Sequence, residues 1–393
     1  MLSNMGSMLI GLVAGLTLAR AEHLVPGTVV LATMVGLSLG RRPPSANWPE
    51  RAAGLVLVPL VAAGASALSG SLDGPFAVLG STVFVLALSA TVWVRRFGPM
   101  ATRLGTLAVL PLLSLLFAPA GSPLWTGITA AIVYLLVSGI QLLVGLSPAA
   151  SSQRSSATVS TKLAVQLAAA LTAAFVAGRL IWPQHWQWVV LTAFIVCAGN
   201  RGRGDVVHKS VLRMLGAAAG TLAATGLFAI ATPSGIGGVA AILVVLIAGV
   251  VLRPVSYAYW AACVTAAMAL LLGLLGQNPT ELLLTRLAAI AVGGVLGVAA
   301  SWLILPIRSR DVARARIAAT RKAIERFRLD NDESARDAVR QAIAQLDLIA
   351  PAFNAHRRLH RLLPGSRRDR RFVADAFDEL RAEFSRVDHA GSR

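Results

Sequence analysis

Charge is scarce in this chain. Only 14% of its 393 residues are charged, against about a quarter in an ordinary soluble domain, while 56% are hydrophobic and mean hydropathy is +0.69. So little charge cannot cover a water-facing surface, which excludes a soluble enzyme, a disordered chain and a secreted disulfide scaffold. Acid is scarcer still. Before residue 307 the five carboxylates are Glu22, Glu50, Asp73, Asp205 and Glu281, each at or near the end of an apolar run. Proton-driven carriers usually hold a carboxylate at depth. That weighs against proton coupling and leaves Glu281 or a histidine as candidates for it. There are two cysteines, Cys197 and Cys263, both inside apolar runs. They read as small core residues, not as a disulfide or a metal pair.

Chemical motifs are also missing. The sequence has no His-Glu-x-x-His, no Cys-x-x-Cys and no P-loop. Gly36-Leu-Ser38-Leu-Gly40 fits the nucleophile-elbow spelling but lies in an apolar span with no strand and no nearby triad partner. His356 and His360 lie four apart, and two nitrogens do not make a metal site. No cofactor and no enzymatic activity are expected.

Long apolar runs are what the chain has instead. A helix needs about 20 apolar residues to cross a bilayer. Segments near 5–20, 25–40, 53–70, 75–94, 102–119, 124–146, 163–181, 186–199, 211–231, 235–252, 257–275 and 283–305 meet or approach that length. Their continuous rather than alternating hydrophobicity selects helices over a barrel. Residues 8–19 followed by Ala19-Arg20-Ala21 imitate a signal peptide, but no basic region precedes them, so they read as an uncleaved first span.

Net charge is +18, with 36 Lys and Arg against 18 Asp and Glu. Such a balance suits nucleic acid, but its distribution does not. Arg308–Arg393 holds 20 basic and 13 acidic residues; the other 16 basic residues are spread among short connections. Connections after the even-numbered spans carry thirteen: Arg41, Arg42, Arg51, Arg95, Arg96, Arg103, Arg154, Lys162, Arg201, Arg203, Lys209, Arg213 and Arg253. The opposite side has Arg20, Arg179 and Arg286. The positive-inside rule then puts both termini in the cytoplasm of a multi-pass cell-membrane protein. Trp182, Trp186 and Trp188 fall at the expected outer interface, where indole rings prefer to sit.

Weak matches in one order suggest an internal repeat of about 160 residues. Val29-Val30-Leu31 pairs with Val189-Val190-Leu191, Arg41 with Arg201, Arg51 and Gly54 with Arg213 and Gly216, and Gly139 and Pro148 with Gly297 and Pro306. Six spans per half give two parallel repeats, whose seam is a natural place for a pore. The expected fold is therefore an all-α polytopic membrane protein of about twelve transmembrane helices in two parallel six-helix repeats, with a cytoplasmic helical tail. The divisions are 1–147 (a degenerate first repeat), 148–161 (a Ser-rich linker), 162–306 (the second repeat) and 307–393 (the tail). In the tail, Val339, Ile343, Leu346, Ala350 and Phe353 form one apolar stripe, and Val373, Phe377, Leu380, Phe384 and Val387 another. About three helices are expected there, their stripes covered by one another or by a second subunit. Arg367-Arg368-Asp369-Arg370-Arg371 reads as a solvated helix start or as a contact for anionic lipid.

Arginine is the positive chemical signal. Near hydrocarbon it is costly unless it snorkels or faces water or an anion, and rings of arginine select anions in pores. Arg201, Arg203 and Arg253 suit a topological role as well as a binding one. Arg286 lies where the positive-inside rule does not ask for it, with Glu281 five residues earlier as a pairing alternative. Gly216 and Gly220, and Gly293 and Gly297, are small residues four apart that let helices approach closely.

His185-Trp186-Gln187-Trp188, the Gly/Arg loop after it, and Arg213-x-x-Gly216-x-x-x-Gly220-Thr221 together resemble the signature of the fusaric acid resistance-like family. Arg253-Pro-Val-Ser-Tyr257-Ala-Tyr259-Trp260 and Arg286 through Gly297 to Pro306 fit the same module. The first half lacks the His-Trp signature and a counterpart of Arg286, and Ala217 stands where the family often has Thr. The family comprises transporter-type membrane proteins, including aromatic acid exporters, and is similar in outline to plant malate channels that surround a basic anion path. The resemblance implies a transporter or channel-like exporter of organic anions, aromatic or dicarboxylic. On this reading Arg201, Arg203 and Arg213 attract the carboxylate, Arg286 holds charge along the path, and Trp186 and Trp188 offer stacking contact. The alternative is a membrane platform whose tail recruits a partner.

Overall fold

The structure is a computed structural model. It describes residues 2–23, 26–41, 48–114, 116, 121–144, 156–198, 202–230, 235–253, 255–274, 279–307, 309–330, 332–347, 350–351, 379 and 382. Among these the only regular structure is helical. Each of the twelve apolar segments coincides with a helix: α1 (Leu2–Ala21), α2 (Pro26–Arg41), α3 (Trp48–Ser69), α4 (Ala77–Trp93), α5 (Pro99–Ser114), α6 (Pro123–Leu143), α7 (Ala157–Ile181), α8 (Trp186–Cys197), α9 (Arg203–Ile230), α10 (Gly235–Leu252), α11 (Tyr257–Leu274) and α12 (Pro279–Leu303). Among the described residues, five stretches are long and apolar enough to cross a membrane: Trp48–Ser69, Ala77–Phe97, Pro123–Leu143, Ala157–Ile181 and Leu284–Leu303. Gly6–Ala21, Gly27–Gly40 and Trp186–Cys197 are shorter apolar helices.

Several helices overrun the hydrophobic segment that predicted them. α9 begins at Arg203, eight residues before its apolar run. Asp205 in its first turn complements the positive helix end, and Lys209 Nζ donates to Asp205 Oδ2 at 2.7 Å, an i,i+4 pair. Pro26, Pro99, Pro123 and Pro279 stand first in their helices, where the missing N–H costs nothing.

The chain packs as two compact units, residues 1–194 and 195–393. In the first, α1 lies along α2, and α3 packs on α5 and α6. Its core is Leu31, Val35, Leu39, Val58, Leu107, Val133, Tyr134 and Val137 with small alanines between them. Gln141 ties α6 to its neighbours, donating to the Leu39 carbonyl at 3.2 Å and the Ser7 hydroxyl at 3.3 Å. α7, which the repeat assigns to the second half, packs on α4.

In the second unit α9 packs on α11 and α12, and α10 packs on α11. Bulk is removed at these crossings. A Cβ on Gly216 or Gly220 would collide with the backbone carbonyl of Ala258 or Ala262. Since 216 meets 258 and 220 meets 262, α9 and α11 run in the same direction. We expect Gly216→Leu to push them apart at a cost of about 1–3 kcal/mol for overpacking, read as a lower unfolding midpoint in detergent, with Ser210→Ala as a mild control.

Beyond α12 the tail forms α13 (Ser309–Asp330) and α14 (Glu333–Asp347). They share a core of Ala313, Ile317, Ile324, Phe327, Ala335, Val339 and Leu346. The stripe read at Val339, Ile343 and Leu346 is thus covered by α13. The second stripe, Val373 to Val387, and the Arg367–Arg371 cluster lie outside the described residues. Asp332 caps α14: its carboxylate accepts from the Ala335 N–H at 2.7 Å and the Ser334 hydroxyl at 2.9 Å. These bonds, the backbone one foremost, hold its carboxyl below the usual aspartate range. A depressed folded value stabilises the hairpin at neutral pH, and that contribution disappears as pH falls through it. Amide protection factors in α14, measured against the intrinsic exchange rate at each pH, should therefore fall on acidification, and Asp332→Ala should be less protected already at pH 7.

Candidate functional site

An arginine in a membrane helix demands an account of its charge, and most of those described here have a local one. Arg179, on the side where few basic residues are expected, donates to the Leu72 carbonyl at 2.5 Å and the Ala77 carbonyl at 3.3 Å, and stacks over Phe175 and Trp186. It closes the α3–α4 connection. Arg96 lies over Trp93, 3.8 Å from the ring centre. Arg253, exposed at the end of α10, lies over Trp260. Arg103 donates to both oxygens of Glu50, at 3.0 and 3.1 Å. Glu50, a span-end residue by sequence, is 7% exposed between α3 and α5.

Among the described residues, Arg213 and Arg286 are the two buried arginines. Arg213 is 9% exposed and Arg286 6% exposed. They sit on the neighbouring helices α9 and α12, close enough that Arg286 feels the positive charge of Arg213. The packing explains how. Gly294 of α12 leaves room for the Ser210 hydroxyl of α9, which would meet a Cβ there at 2.5 Å. Arg213 lies three residues beyond that crossing and Arg286 eight residues before it. With the two helices antiparallel, both arginines fall on the same side of it, about 8 Å apart along the axis. Arg213 is reached from a third helix: its Nη1 donates to the Tyr257 hydroxyl of α11 at 3.2 Å. Thr221, one turn past Ala217, bonds back to that residue's carbonyl.

This basic cluster is set well inside the helices. Arg213 is ten residues into α9, about 15 Å from its start. Arg286 is seven residues into α12, about 10 Å from that helix's first residue. Two guanidinium groups on facing helices with a phenol beside one of them are chemically suited to a carboxylate, because planar forked donors match two oxygens.

The other expected site residues lie elsewhere or beyond description. Arg201 is outside the described residues. Arg203 is the first residue of α9. Trp186 is 4% exposed, its ring centre 5.1 Å from that of Phe175 and Arg179 above it, so its indole is engaged in packing the first unit. Trp188 is half-buried on α8. Tyr257 is the site residue that sequence reasoning missed. It stood in the Arg253–Trp260 motif, and nothing in its spacing from Arg213 foretold the contact. Among the described residues no group of three His, Cys, Asp or Glu side chains gathers to hold a metal.

Residues 167–300 match the family profile described as fusaric acid resistance protein-like. The resemblance read from the His185 and Arg213 motifs holds over this stretch, which contains both buried arginines and Tyr257. Compared with curated proteins and with solved structures, the chain finds no match.

Proposed function

We propose that this chain is an integral membrane transporter or channel-like exporter of organic anions, aromatic or dicarboxylic, and not an enzyme. One observation carries the reading: Arg213 and Arg286, buried and mutually repelling on packed helices inside the family-matched stretch. Two like charges on neighbouring helices repel. A carboxylate between them converts that repulsion into two attractions. The apolar helices around the pair suit the hydrophobic body of an aromatic acid.

The topology we assign is twelve spans in two parallel repeats with both termini and the tail in the cytoplasm. The helix count supports it, as does the recurrence of one packing scheme: α3 with α5 and α6, α4 with α5; α9 with α11 and α12, α10 with α11. Thirteen basic residues on one set of connections against three on the other support the orientation. Arg201 and Arg203 then lie on the cytoplasmic approach, and Trp186 and Trp188 near the outer end.

Proteoliposomes test this directly. Purified protein should release preloaded benzoate or malate well above protein-free vesicles and leave glucose trapped. The hairpin α13–α14, with its own apolar core, favours a second reading in which the tail recruits a partner. Truncation after residue 307 separates the two. Transport survives truncation if the bundle alone conducts; a cellular phenotype lost while flux persists points to the platform.

A further inference from the structure

Hydrogen bonds close a ring around four helices of the first unit. Ser38 of α2 donates its hydroxyl to the Leu107 carbonyl of α5 at 3.2 Å. Arg103, one turn earlier on α5, holds Glu50 of α3. The Tyr134 hydroxyl of α6 donates to the Arg51 carbonyl of α3 at 3.1 Å. Gln141, two turns further along α6, returns to α2 through the Leu39 carbonyl and takes in α1 through the Ser7 hydroxyl. The circuit α2–α5–α3–α6 is thus complete, and each helix in it also packs against the next. Three of these bonds end on a neighbour's backbone, which fixes that helix in rotation and height and not only one side chain's rotamer.

The ring encloses a filled centre. Leu31, Val35, Val58, Leu107, Val133 and Val137, drawn from all four helices, are at most 4% exposed. Such a close-packed core does not deform continuously. An anion crossing it would have to open the core and break the ring, with no water in the hydrocarbon to replace the lost bonds. Beyond the core α3 and α6 are tied again, where the Thr126 hydroxyl donates to that of Ser66 at 3.3 Å. The α9–α12 crossing of the second unit is smoother. Gly294 presents no side chain to Ser210, and each helix brings a buried arginine, so like charges oppose the close approach.

We infer that the α2–α5–α3–α6 bundle is a closed frame that neither moves nor conducts, and that α9 and α12 part to admit the anion. The second half rests on the proposed transport; the first does not. Disulfide locks test both. A Cβ on Gly127 would lie 3.4 Å from that of Ala63, and one on Gly294 3.8 Å from that of Ser210, close to the roughly 3.5–4.5 Å that a disulfide spans. A63C/G127C therefore locks α3 to α6, and S210C/G294C locks α9 to α12, each in a full chain whose Cys197 and Cys263 are replaced by alanine. Benzoate flux should agree within about 2-fold between oxidised and reduced A63C/G127C. It should fall at least about 10-fold in oxidised S210C/G294C and return with dithiothreitol. Loss of flux on locking α3 to α6, or full flux with α9 locked to α12, would overturn the inference. Amide exchange of the parent judges the frame without any flux. Amides of α2, α3, α5 and α6 should open together, about 10-fold or more slowly than those of α9 and α12. A parent without flux counts against the transport reading and the parting of α9 and α12, while the frame stands or falls on exchange. Exchange in the frame as fast as in α9 and α12 would overturn it.

Discussion

Arg286→Ala should reduce benzoate flux in proteoliposomes by roughly 10- to 100-fold at unchanged protein level, the worth of one charge-assisted hydrogen bond. The reason lies in position. Arg286 is on α12, facing α9 near Arg213, and it is buried. A bound carboxylate would lower the cost of keeping a guanidinium at that depth. Removing Arg286 should relieve repulsion on Arg213, so the variant should fold at least as well as the parent while transporting less. That combination separates a binding role from a structural one. Arg286→Lys keeps the charge but loses the planar fork, and should recover only part of the flux, with the shortfall in apparent affinity. Arg286→Ala with wild-type flux would remove this residue from the site.

The second large effect concerns stability. Glu50→Ala leaves the Arg103 guanidinium without its carboxylate between α3 and α5, where the two side chains are only 9% and 14% exposed. Breaking a buried pair from one side costs about 3–5 kcal/mol, because the surviving charge stays desolvated. Unfolding by SDS titration should show that loss. The double variant E50L/R103L should recover most of it, since apolar residues of similar volume replace such pairs at little or no cost. A double variant as unstable as the single one would mean that the pair does more than neutralise itself.

The two effects define two uses of buried charge in one chain. In the first unit Arg103 is neutralised by an internal acid. In the second, Arg213 and Arg286 are set beside each other with a phenol. The repeat pairs Arg51 with Arg213, yet Leu212 stands where the first half has Glu50. That substitution of leucine for glutamate is one clear difference between the halves.

The helices were legible because apolar length is a one-dimensional signal: all twelve segments recur as helices, with boundaries shifted where polar turns extend α7, α9 and α12. Their ends were less legible, since Asp205 and Lys209 prolong α9 through a local pair that hydropathy does not register. The pairing of Arg213 with Arg286 was half legible. Both were singled out for sitting near hydrocarbon, but their proximity depends on how Gly294 seats Ser210, a contact between residues 84 positions apart. Tyr257 and the Glu50–Arg103 pair were not legible at all, because each joins helices whose relative rotation only packing decides. Trp186, expected to offer stacking contact, packs against Phe175 with Arg179 above it, a contact between helices that spacing in the sequence does not show.

The central claim is that an organic anion binds between the two buried arginines. Anomalous scattering from crystals soaked in 4-bromobenzoate measures this most directly. The account predicts one strong bromine peak between α9 and α12, with the carboxylate within hydrogen-bonding distance of Arg213 and Arg286, and its loss in Arg286→Ala. A bromine peak elsewhere in the molecule, with nothing between the two guanidinium groups, would contradict it.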